Sequence, residues 1–230
     1  MKLAVLPARG GSKRVPRKNV RPFCGRPIMA WAIDAARESG VFDRVVVSTD
    51  DAEIAETARG LGAEVPFVRP ADLSDDHSGT IAVIAHAINW AMGQGESIDA
   101  VCCIYPTAPM ISPDDLREGL RLLDEDASDF VFTATDYASP IFRAFVERGT
   151  GVEMLFPDHF GSRSQDLPQA LHDAAQFYWG RPEAWLTAET LFGPRSAALR
   201  IPRWRVQDID TPEDWVRAEA LFRSLGGTET

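Results

Sequence analysis

A glycine-rich, basic segment near the amino terminus carries the clearest chemical signal in this sequence. It occupies residues 8–19 and reads Ala-Arg-Gly-Gly-Ser-Lys-Arg-Val-Pro-Arg-Lys-Asn. Adjacent Gly10 and Gly11, followed by Ser12, allow turns that expose backbone N–H groups as an anion-binding nest. The apolar run at residues 3–6 is typical of the first strand of an α/β sheet, and such folds bind ligands where their strands end. These features predict a loop that binds the phosphates of a nucleoside triphosphate.

The charge distribution supports this interpretation. The chain has a net charge of −10, from 24 basic and 34 acidic residues, yet residues 1–26 hold eight basic residues and no acidic ones. Two of the three lysines in the chain, Lys13 and Lys18, lie in the glycine-rich segment, and a lysine ammonium is a compact charge that suits a phosphate. The spacing matches neither a Walker loop nor G-x-G-x-x-G. A solvated basic loop is the alternative interpretation.

A second candidate site is Asp208-Ile209-Asp210, just before a predicted final helix. In an extended segment the two carboxylates would lie on one side, with Ile209 in the core. Mg²⁺ prefers such ligands, completed by substrate phosphates. The alternative is that both aspartates are turn and helix-capping residues. Because a triphosphate needs a divalent cation, the two segments together predict a Mg²⁺ site, with Mn²⁺ as a substitute.

The composition argues against several other classes of function. The acidic net charge disfavours binding to nucleic acids or anionic membranes. No apolar run approaches the ~18 residues of a transmembrane helix, and Pro7 with the basic segment does not fit a signal peptide. We therefore expect a cytoplasmic protein. The three cysteines form neither a disulfide framework nor a zinc site.

Strands and helices are predicted to alternate around these two segments. Strands are expected at residues 2–6, 44–48, 64–68, 99–105 and 130–135, and helices at residues 28–38, 52–61, 113–124 and about 212–225, with another helix from Thr80 that has Ile81, Ile84, Ala85 and Ile88 on its apolar face. Residues 8–26 are expected to be irregular, and residues 176–179 and 199–201 could return to the sheet. The alternation predicts a single α/β domain over residues 1–230, with a Rossmann-like, mostly parallel sheet and helices on both faces.

Residues 136–171 interrupt this pattern. They contain two predicted strands, at residues 142–146 and 152–156, joined by residues 147–151. A hairpin with apolar faces that projects from a parallel sheet needs a covering surface. We therefore expect an inserted dimerisation lobe, and hence a homodimer.

The glycine-rich segment and residues 208–214 together resemble the cytidylyltransferases that activate nonulosonic and related acidic sugars, the CMP-sialic acid synthetases and their relatives. The resemblance extends over residues 2–222 and includes, in the same order, residues 48–50, 68–70 and 106–109. It implies a fold of the nucleotide-diphospho-sugar transferase type. It also implies transfer of CMP from CTP to the anomeric hydroxyl of an acidic nine-carbon sugar, with release of pyrophosphate.

The resemblance further implies residue roles. The nucleotide-binding residues would be Ala8, Arg9, Gly10, Gly11, Ser12, Lys13, Lys18, Asn19, Arg69 and Thr80. Arg9 and Lys13 would hold the phosphates, Asp208 and Asp210 would hold the metal, and Arg9, Lys13 and Asp210 are the catalytic candidates.

The sugar is indicated by residues 163–178, which resemble the family members that act on pseudaminic acid. The candidate sugar contacts are Tyr105, Arg163, Gln165, Asp173, Gln176 and Tyr178. N-acetylneuraminic or legionaminic acid is the alternative substrate. Two further alternatives are another nucleotidyltransferase with a related glycine-rich loop and a non-catalytic nucleotide-binding regulator on the same scaffold.

Overall fold

The computed structural model describes residues 1–75, 78–125 and 128–227, and ten strands and six α-helices occur within them. The strands are β1 (Lys2–Pro7), β2 (Pro22–Phe23), β3 (Arg26–Pro27), β4 (Arg44–Ser48), β5 (Ala100–Ile104), β6 (Phe130–Asp136), β7 (Phe145–Arg148), β8 (Gly151–Met154), β9 (Leu171–Gly180) and β10 (Ser196–Arg200). The helices are α1 (Ile28–Ser39), α2 (Ala52–Gly60), α3 (Thr80–Gly93), α4 (Pro113–Glu125), α5 (Pro182–Thr187) and α6 (Pro212–Ser224). Among the described residues, no helix is both long and apolar enough to cross a bilayer.

Six strands form the central sheet in the order β10-β6-β9-β5-β1-β4. Strand β1 is parallel to β4 and β5, and β10 is parallel to β6. Strand β9 runs antiparallel to both of its neighbours, β5 and β6. The predicted mostly parallel sheet is therefore confirmed, with one antiparallel strand inserted near its centre.

Helices cover both faces of this sheet, as predicted. Met29 of α1, Ile54 of α2 and Leu116 of α4 belong to one buried cluster. Ile84 of α3 and Trp185 of α5 belong to the cluster on the opposite face. Each of these helices buries apolar side chains against the sheet, which is the usual stabilising arrangement of an α/β layer.

The last helix fixes the segment that contains the two aspartates. Thr211 and Asp214 form a reciprocal capping box, in which the Thr211 Oγ1 accepts from Asp214 N (3.2 Å) and the Asp214 carboxylate accepts from Thr211 N (2.9 Å). Trp215 and Phe222 then pack edge-on against Phe23, at centroid distances of 5.6 and 5.4 Å. The start of α6 is thereby anchored to the loop that follows β1.

The structure corrects four local predictions, and three of them lie outside the segment between β6 and β9. Residues 64–68 do not form a strand: Glu64 makes a single bridge to Val46, and Pro66 has no N–H with which to extend a ladder. Residues 8–26 are not wholly irregular, because β2 and β3 pair across a turn at Cys24 and Gly25, where both residues have positive φ.

The third correction concerns α3. Its buried face is formed by Val83, Ile84, Ala87, Ile88 and Ala91, whereas Ile81 and Ala85 are only partly buried. The predicted apolar face therefore shares Ile84 and Ile88 with the observed buried face but is rotated around the helix axis relative to it.

The segment between β6 and β9 is an excursion from the sheet. Asp136, the last residue of β6, pairs with Leu171, the first residue of β9, so the chain leaves and returns at adjacent points. Within the segment, β7 and β8 pair as an antiparallel hairpin closed by Gly149 and Thr150. The predicted strand bounds and five-residue connection are wrong, because Gly149 (φ 59°) allows a two-residue turn.

Strand β9 contains a large bulge. Tyr178 pairs with Phe132, and Asp173 pairs with Ala134, so four residues of β9 lie opposite a single residue of β6. Ala175, inside the bulge, has a φ of 50°. Such bulges redirect side chains beside functional sites.

We expect Gly180→Ala to destabilise the protein strongly. A Cβ at Gly180 would lie 2.5 Å from Trp185 Nε1 and 2.6 Å from Phe130 Cδ1, both in buried rings. Overpacking of this kind costs about 1–3 kcal/mol, or about 2–12 °C in Tm for a chain of this size. Thermal unfolding followed by circular dichroism measures the change.

Gly93→Ala is the matched control, because no described atom beyond its chain neighbours and its own helix backbone lies within 4 Å of the added Cβ. Its Tm should be unchanged or slightly higher. Equal melting of the two variants would contradict the packing described here.

Candidate functional site

A cavity of about 650 Å³ lies where the parallel strands β1 and β5 end. Its walls come from four stretches of chain that are distant in sequence. The lining residues are Pro7, Arg9, Ser12, Lys13, Arg14, Val15, Lys18, Asn19, Arg69, Leu73, Asp75, Ser78, Thr80, Val83, Tyr105, Pro106, Thr107, Asp208 and Asp210. The structure therefore brings the glycine-rich segment and the Asp208–Asp210 pair together in one site.

Seven of the ten predicted nucleotide-binding residues line this cavity, namely Arg9, Ser12, Lys13, Lys18, Asn19, Arg69 and Thr80. Ala8, Gly10 and Gly11 do not line it. Ala8 is fully buried and its N–H donates to the Ser48 carbonyl at 2.9 Å. Ala8 therefore continues the hydrogen bonding between β1 and β4 and lies behind the loop.

Gly10 has a different role from the one expected. Its N–H donates to Asp50 Oδ1 at 3.0 Å, so this amide binds a carboxylate of the protein and is not directed to the cavity. An added Cβ would lie 2.7 Å from Asp51 Oδ2, which explains the glycine. Arg17 (φ 56°) also binds Asp51, at 2.6 Å, and holds the pKa of that carboxyl below its usual range. The loop is thus tied to the start of α2.

Arg69 is the most deeply buried cation in the cavity wall. Its residue is only 4% exposed, its Nε donates to Ser48 Oγ at 3.1 Å, and its Nη2 donates to the Ser48 carbonyl. Burial lowers the pKa of Arg69 to about 10, so the guanidinium stays charged at neutral pH. Within the part of the chain that the structure describes, no carboxylate forms an ion pair with it. A buried cation is costly without an anionic partner, so this wall suits an anionic ligand.

Asp208 and Asp210 line the same cavity, with fully buried Ile209 between them, as the sequence predicted. Lys18 Nζ donates to the Ile209 carbonyl at 2.6 Å and lies 3.9 Å from Asp210 Oδ1. Arg14 Nη1 lies 2.7 Å from Asp210 Oδ2. Burial and the neighbouring Asp210 charge raise the pKa of Asp208, whereas burial lowers the pKa of Lys18.

The side chains of Asp208 and Asp210 fit a hard divalent cation. Two carboxylates face one cavity, and the described residues contain no group of three or more His, Cys, Asp or Glu side chains able to hold a metal. A site with two protein carboxylates leaves its other positions to water and phosphate oxygens, which is the pattern that Mg²⁺ prefers.

A second cavity, of about 640 Å³, shares Thr80 and Tyr105 with the first. Thr80 Oγ1 and the Tyr105 hydroxyl are 2.9 Å apart. The Tyr178 hydroxyl donates to Asp173 Oδ2, and Ala175 N donates to Asp173 Oδ1 at 2.8 Å. Burial raises the pKa of Tyr105 to about 12 and also raises that of Tyr178, so both phenols stay neutral.

The remaining wall of the second cavity is largely apolar. It comes from α3, α5 and the segment after α5, and includes Ile81, Trp185, Leu186, Leu191 and Phe192. The β9 bulge presents Asp173 on the polar side. The cavity thus combines hydroxyl and carboxylate groups with apolar surface.

Three of the six predicted sugar contacts, Tyr105, Asp173 and Tyr178, line this second cavity, and the other three line neither cavity. Arg163 and Gln165 are exposed in the excursion, where Arg163 pairs with Asp166 at 2.7 Å. Gln176 is buried, and its Nε2 donates to the Arg205 carbonyl at 2.6 Å. Its Oε1 has no hydrogen-bond partner among the described residues.

Sequence reasoning missed several wall residues. Arg14, Asp75 and Ser78 line the first cavity, and Arg9 Nη1 donates to the Asp75 carbonyl at 2.6 Å. Ser78 Oγ lies 2.7 Å from Asp75 Oδ1. The charge of Arg14 within the basic segment was a usable signal, whereas nothing local in the sequence marks the Asp75 carbonyl.

A family model described as Cytidylyltransferase matches residues 3–146, more than half of the chain. The chain belongs to the cytidylyltransferase family. The match covers the strands and loops that form most of the first cavity.

This cytidylyltransferase is also similar to curated proteins over nearly its whole length. It is 44% identical over 222 residues to pseudaminic acid cytidylyltransferase of Campylobacter jejuni, covering 96% of each chain. It is 38% identical over 223 residues to CMP-N,N'-diacetyllegionaminic acid synthase of Legionella pneumophila, covering 96% of this chain and 95% of the relative.

Among solved structures, CMP:2-keto-3-deoxy-manno-octonic acid synthetase complexed with CTP matches this cytidylyltransferase with a TM-score of 0.70 and 18% identity, covering 97% of this chain and 99% of the other. The 4-diphosphocytidyl-2C-methyl-D-erythritol synthase of Anaerococcus prevotii matches with a TM-score of 0.63 and 12% identity, covering 96% and 98%. At these identities the likeness concerns the fold alone, and it confirms the predicted α/β class of the nucleotide-sugar transferase type.

Proposed function

We propose that this cytidylyltransferase transfers CMP from CTP to the anomeric hydroxyl of pseudaminic acid and releases pyrophosphate. The observation that carries the proposal is the buried Arg69, which lines the first cavity without an ion-pair partner among the described residues. A direct anionic partner would stabilise such a guanidinium, and a nucleotide supplies one. The similarity to a pseudaminic acid cytidylyltransferase over 96% of both chains supports the choice of reaction and substrate.

CTP would occupy the first cavity. Arg9, Lys13 and Arg69 would surround its phosphates, and Lys13 with Arg9 would stabilise the pyrophosphate as it leaves. Lys18 and Asn19 support these positions through the backbone, because Asn19 Nδ2 donates to the Arg9 carbonyl at 2.9 Å. Ser12 and Thr80 complete the wall with hydroxyl groups.

Asp208 and Asp210 would hold Mg²⁺, for which Mn²⁺ can substitute. When bound, the cation would neutralise the phosphate charge that opposes attack on the α-phosphorus. The side chains of the protein position the reactants: the first cavity fixes the nucleotide, and the second orients the sugar hydroxyl toward it.

The sugar would occupy the second cavity, which opens beside the first at Thr80 and Tyr105. Asp173, Tyr105 and Tyr178 would bind its hydroxyl and amide groups. Leu186 and Phe192 would contact apolar groups of its acyl and methyl substituents. Arg163 and Gln165, which lie in the excursion, would contact the sugar that is bound to a second subunit.

A homodimer would bring the excursion to that position. Phe145, Val152, Leu155 and Phe160 of the excursion are each more than half exposed, an apolar surface that a second copy can cover. Gel filtration of the active enzyme tests this, and a stable, fully active monomer would contradict it. A cytoplasmic location remains a prediction from the sequence.

Pyrophosphate release with CTP and Mg²⁺ tests the substrate. Pseudaminic, legionaminic and N-acetylneuraminic acids are offered separately, and we expect the highest kcat/KM with pseudaminic acid. Equal or better turnover of another acid would contradict the assignment of pseudaminic acid as the substrate. No turnover with any of the three acids, despite CTP binding, would support a non-catalytic nucleotide-binding regulator.

Asp173→Asn should raise the KM for the sugar acid by about tenfold, because the variant replaces a charge-assisted hydrogen bond by a neutral one. The KM for CTP should change by less than about twofold, since Asp173 lines only the second cavity. The single oxygen of asparagine can accept from Ala175 N, and its amide nitrogen can donate to the Tyr178 hydroxyl oxygen, so both contacts of the side chain can be kept. A raised KM for CTP with an unchanged KM for the sugar would contradict the assignment of the two cavities.

A further inference from the structure

Arg14 makes an ion pair with one of the proposed metal ligands. Its Nη1 lies 2.7 Å from Asp210 Oδ2, and its side chain is 70% exposed. Among the described residues, Asp210 is its one ion-pair partner. The guanidinium is therefore held at the cavity by a single contact.

The other cation on Asp210 is held much more firmly. The Lys18 side chain is 20% exposed, its ammonium donates to the Ile209 carbonyl at 2.6 Å, and it lies 3.9 Å from Asp210 Oδ1. The two oxygens of Asp210 are thus approached by different cations. Lys18 is part of the framework, whereas Arg14 can leave at the small cost of an exposed ion pair.

We propose that Arg14 is a further nucleotide-binding residue that exchanges partners: it occupies Asp210 when metal and nucleotide are absent, and it moves to the triphosphate when a divalent cation takes that carboxylate. The proposal rests on the proposed function, because it assumes the metal and CTP sites. A divalent cation bound at Asp210 Oδ2 would repel a guanidinium held against the same oxygen and withdraw charge from it, so metal binding there weakens the Arg14 contact. Arg14 already lines the same cavity, and its planar fork suits phosphate oxygens.

The exchange predicts effects of opposite sign on the two ligands. Without nucleotide, Arg14→Gln should bind Mn²⁺ about two- to fivefold more tightly, the factor that corresponds to an exposed ion pair. With saturating Mg²⁺ and no sugar acid, the same variant should bind CTP about tenfold more weakly, because a charge-assisted phosphate contact is lost. Mn²⁺ binding is measured by electron paramagnetic resonance of the free ion, and CTP binding by titration calorimetry.

Two control variants distinguish the direct contact between Arg14 and Asp210 from a general effect of positive charge. Arg195→Gln removes a similar ion pair outside both cavities, because Arg195 lies 2.7 Å from Asp129. The side chains of Arg195 and Asp129 are 65% and 34% exposed, close to the 70% and 36% of Arg14 and Asp210. It should change neither affinity. Arg9→Gln removes a charge from the same cavity wall. If Arg9→Gln tightened Mn²⁺ binding as much as Arg14→Gln, the cause would be the loss of positive charge from the cavity and not the loss of the Arg14 contact. That result would overturn the proposal.

Asp210→Asn separates failure of this inference from failure of the metal site. If Asp210→Asn weakens Mn²⁺ binding but Arg14→Gln leaves it unchanged, the exchange is wrong and the metal site stands. If Asp210→Asn leaves Mn²⁺ binding unchanged, the metal assignment itself is wrong. Tighter Mn²⁺ binding with weaker CTP binding in Arg14→Gln supports the exchange.

Discussion

Asp210→Asn should lower kcat by about 10³-fold or more while the protein stays folded. Asp210 lines the first cavity and is the carboxylate that Lys18 and Arg14 both approach. Loss of one preorganised electrostatic group at a reacting centre typically lowers the rate by about 10²–10³-fold, and loss of a carboxylate ligand also lowers the affinity for the metal ion. Asparagine has the same shape, so the buried Ile209 and the Lys18 bond to its carbonyl should remain.

The measurement is steady-state pyrophosphate release together with a thermal melt. Asp129→Asn is the control, because Asp129 is also partly exposed and pairs with an arginine at 2.7 Å, but lines neither cavity. Activity of Asp210→Asn within about tenfold of the parent enzyme would remove its catalytic assignment.

Arg69→Met should weaken CTP binding by about 10–100-fold without a matching loss of stability. Charged hydrogen bonds contribute about 1.5–3 kcal/mol, which gives the loss of affinity. The free energy of unfolding without nucleotide should stay within about 1 kcal/mol of the parent or rise, because the variant removes a buried charge that has no ion pair among the described residues. Calorimetry with CTP and urea denaturation measure the two quantities.

Arg44→Met is the matched control. Arg44 is also mostly buried, but it pairs with Glu64 and with Glu96, the latter at 2.6 Å. Its removal leaves two carboxylates without their partner, so it should destabilise the protein by about 1–3 kcal/mol with unchanged affinity for CTP. If Arg69→Met were the more destabilising of the two and bound CTP normally, Arg69 would be a structural residue.

The features that the sequence predicted well depend on neighbouring residues. Gly40 (φ 67°) ends α1, the Asp51 side chain accepts from Ile54 N at 3.0 Å and begins α2, and Thr211 with Asp214 begins α6. Each cap is formed within about one turn, so its residue types suffice to locate it. The alternation of strands and helices then fixes the fold class and the edge of the sheet where the site forms.

The features that it predicted poorly depend on distant contacts. The Gly10 amide binds Asp50, forty residues away, so the glycines alone could not indicate which N–H groups remain directed to a ligand. In β9, the bulge around Ala175 breaks the period of two, so alternation could not show that Asp173 and Tyr178, five residues apart, both line the second cavity. The antiparallel direction of β9 follows from the return of the excursion beside the end of β6, where Leu171 pairs with Asp136. The sequence marks the excursion itself but not the strand beside which the chain returns.

The most direct test of the account is to follow CTP, Mg²⁺ and pseudaminic acid with the enzyme by ³¹P nuclear magnetic resonance. We expect the CTP signals to be replaced by those of pyrophosphate and of one new CMP diester, and we expect Asp210→Asn to yield neither product on the same timescale. Unchanged CTP in the presence of the parent enzyme, or pyrophosphate without the diester, would contradict cytidylyl transfer to this sugar.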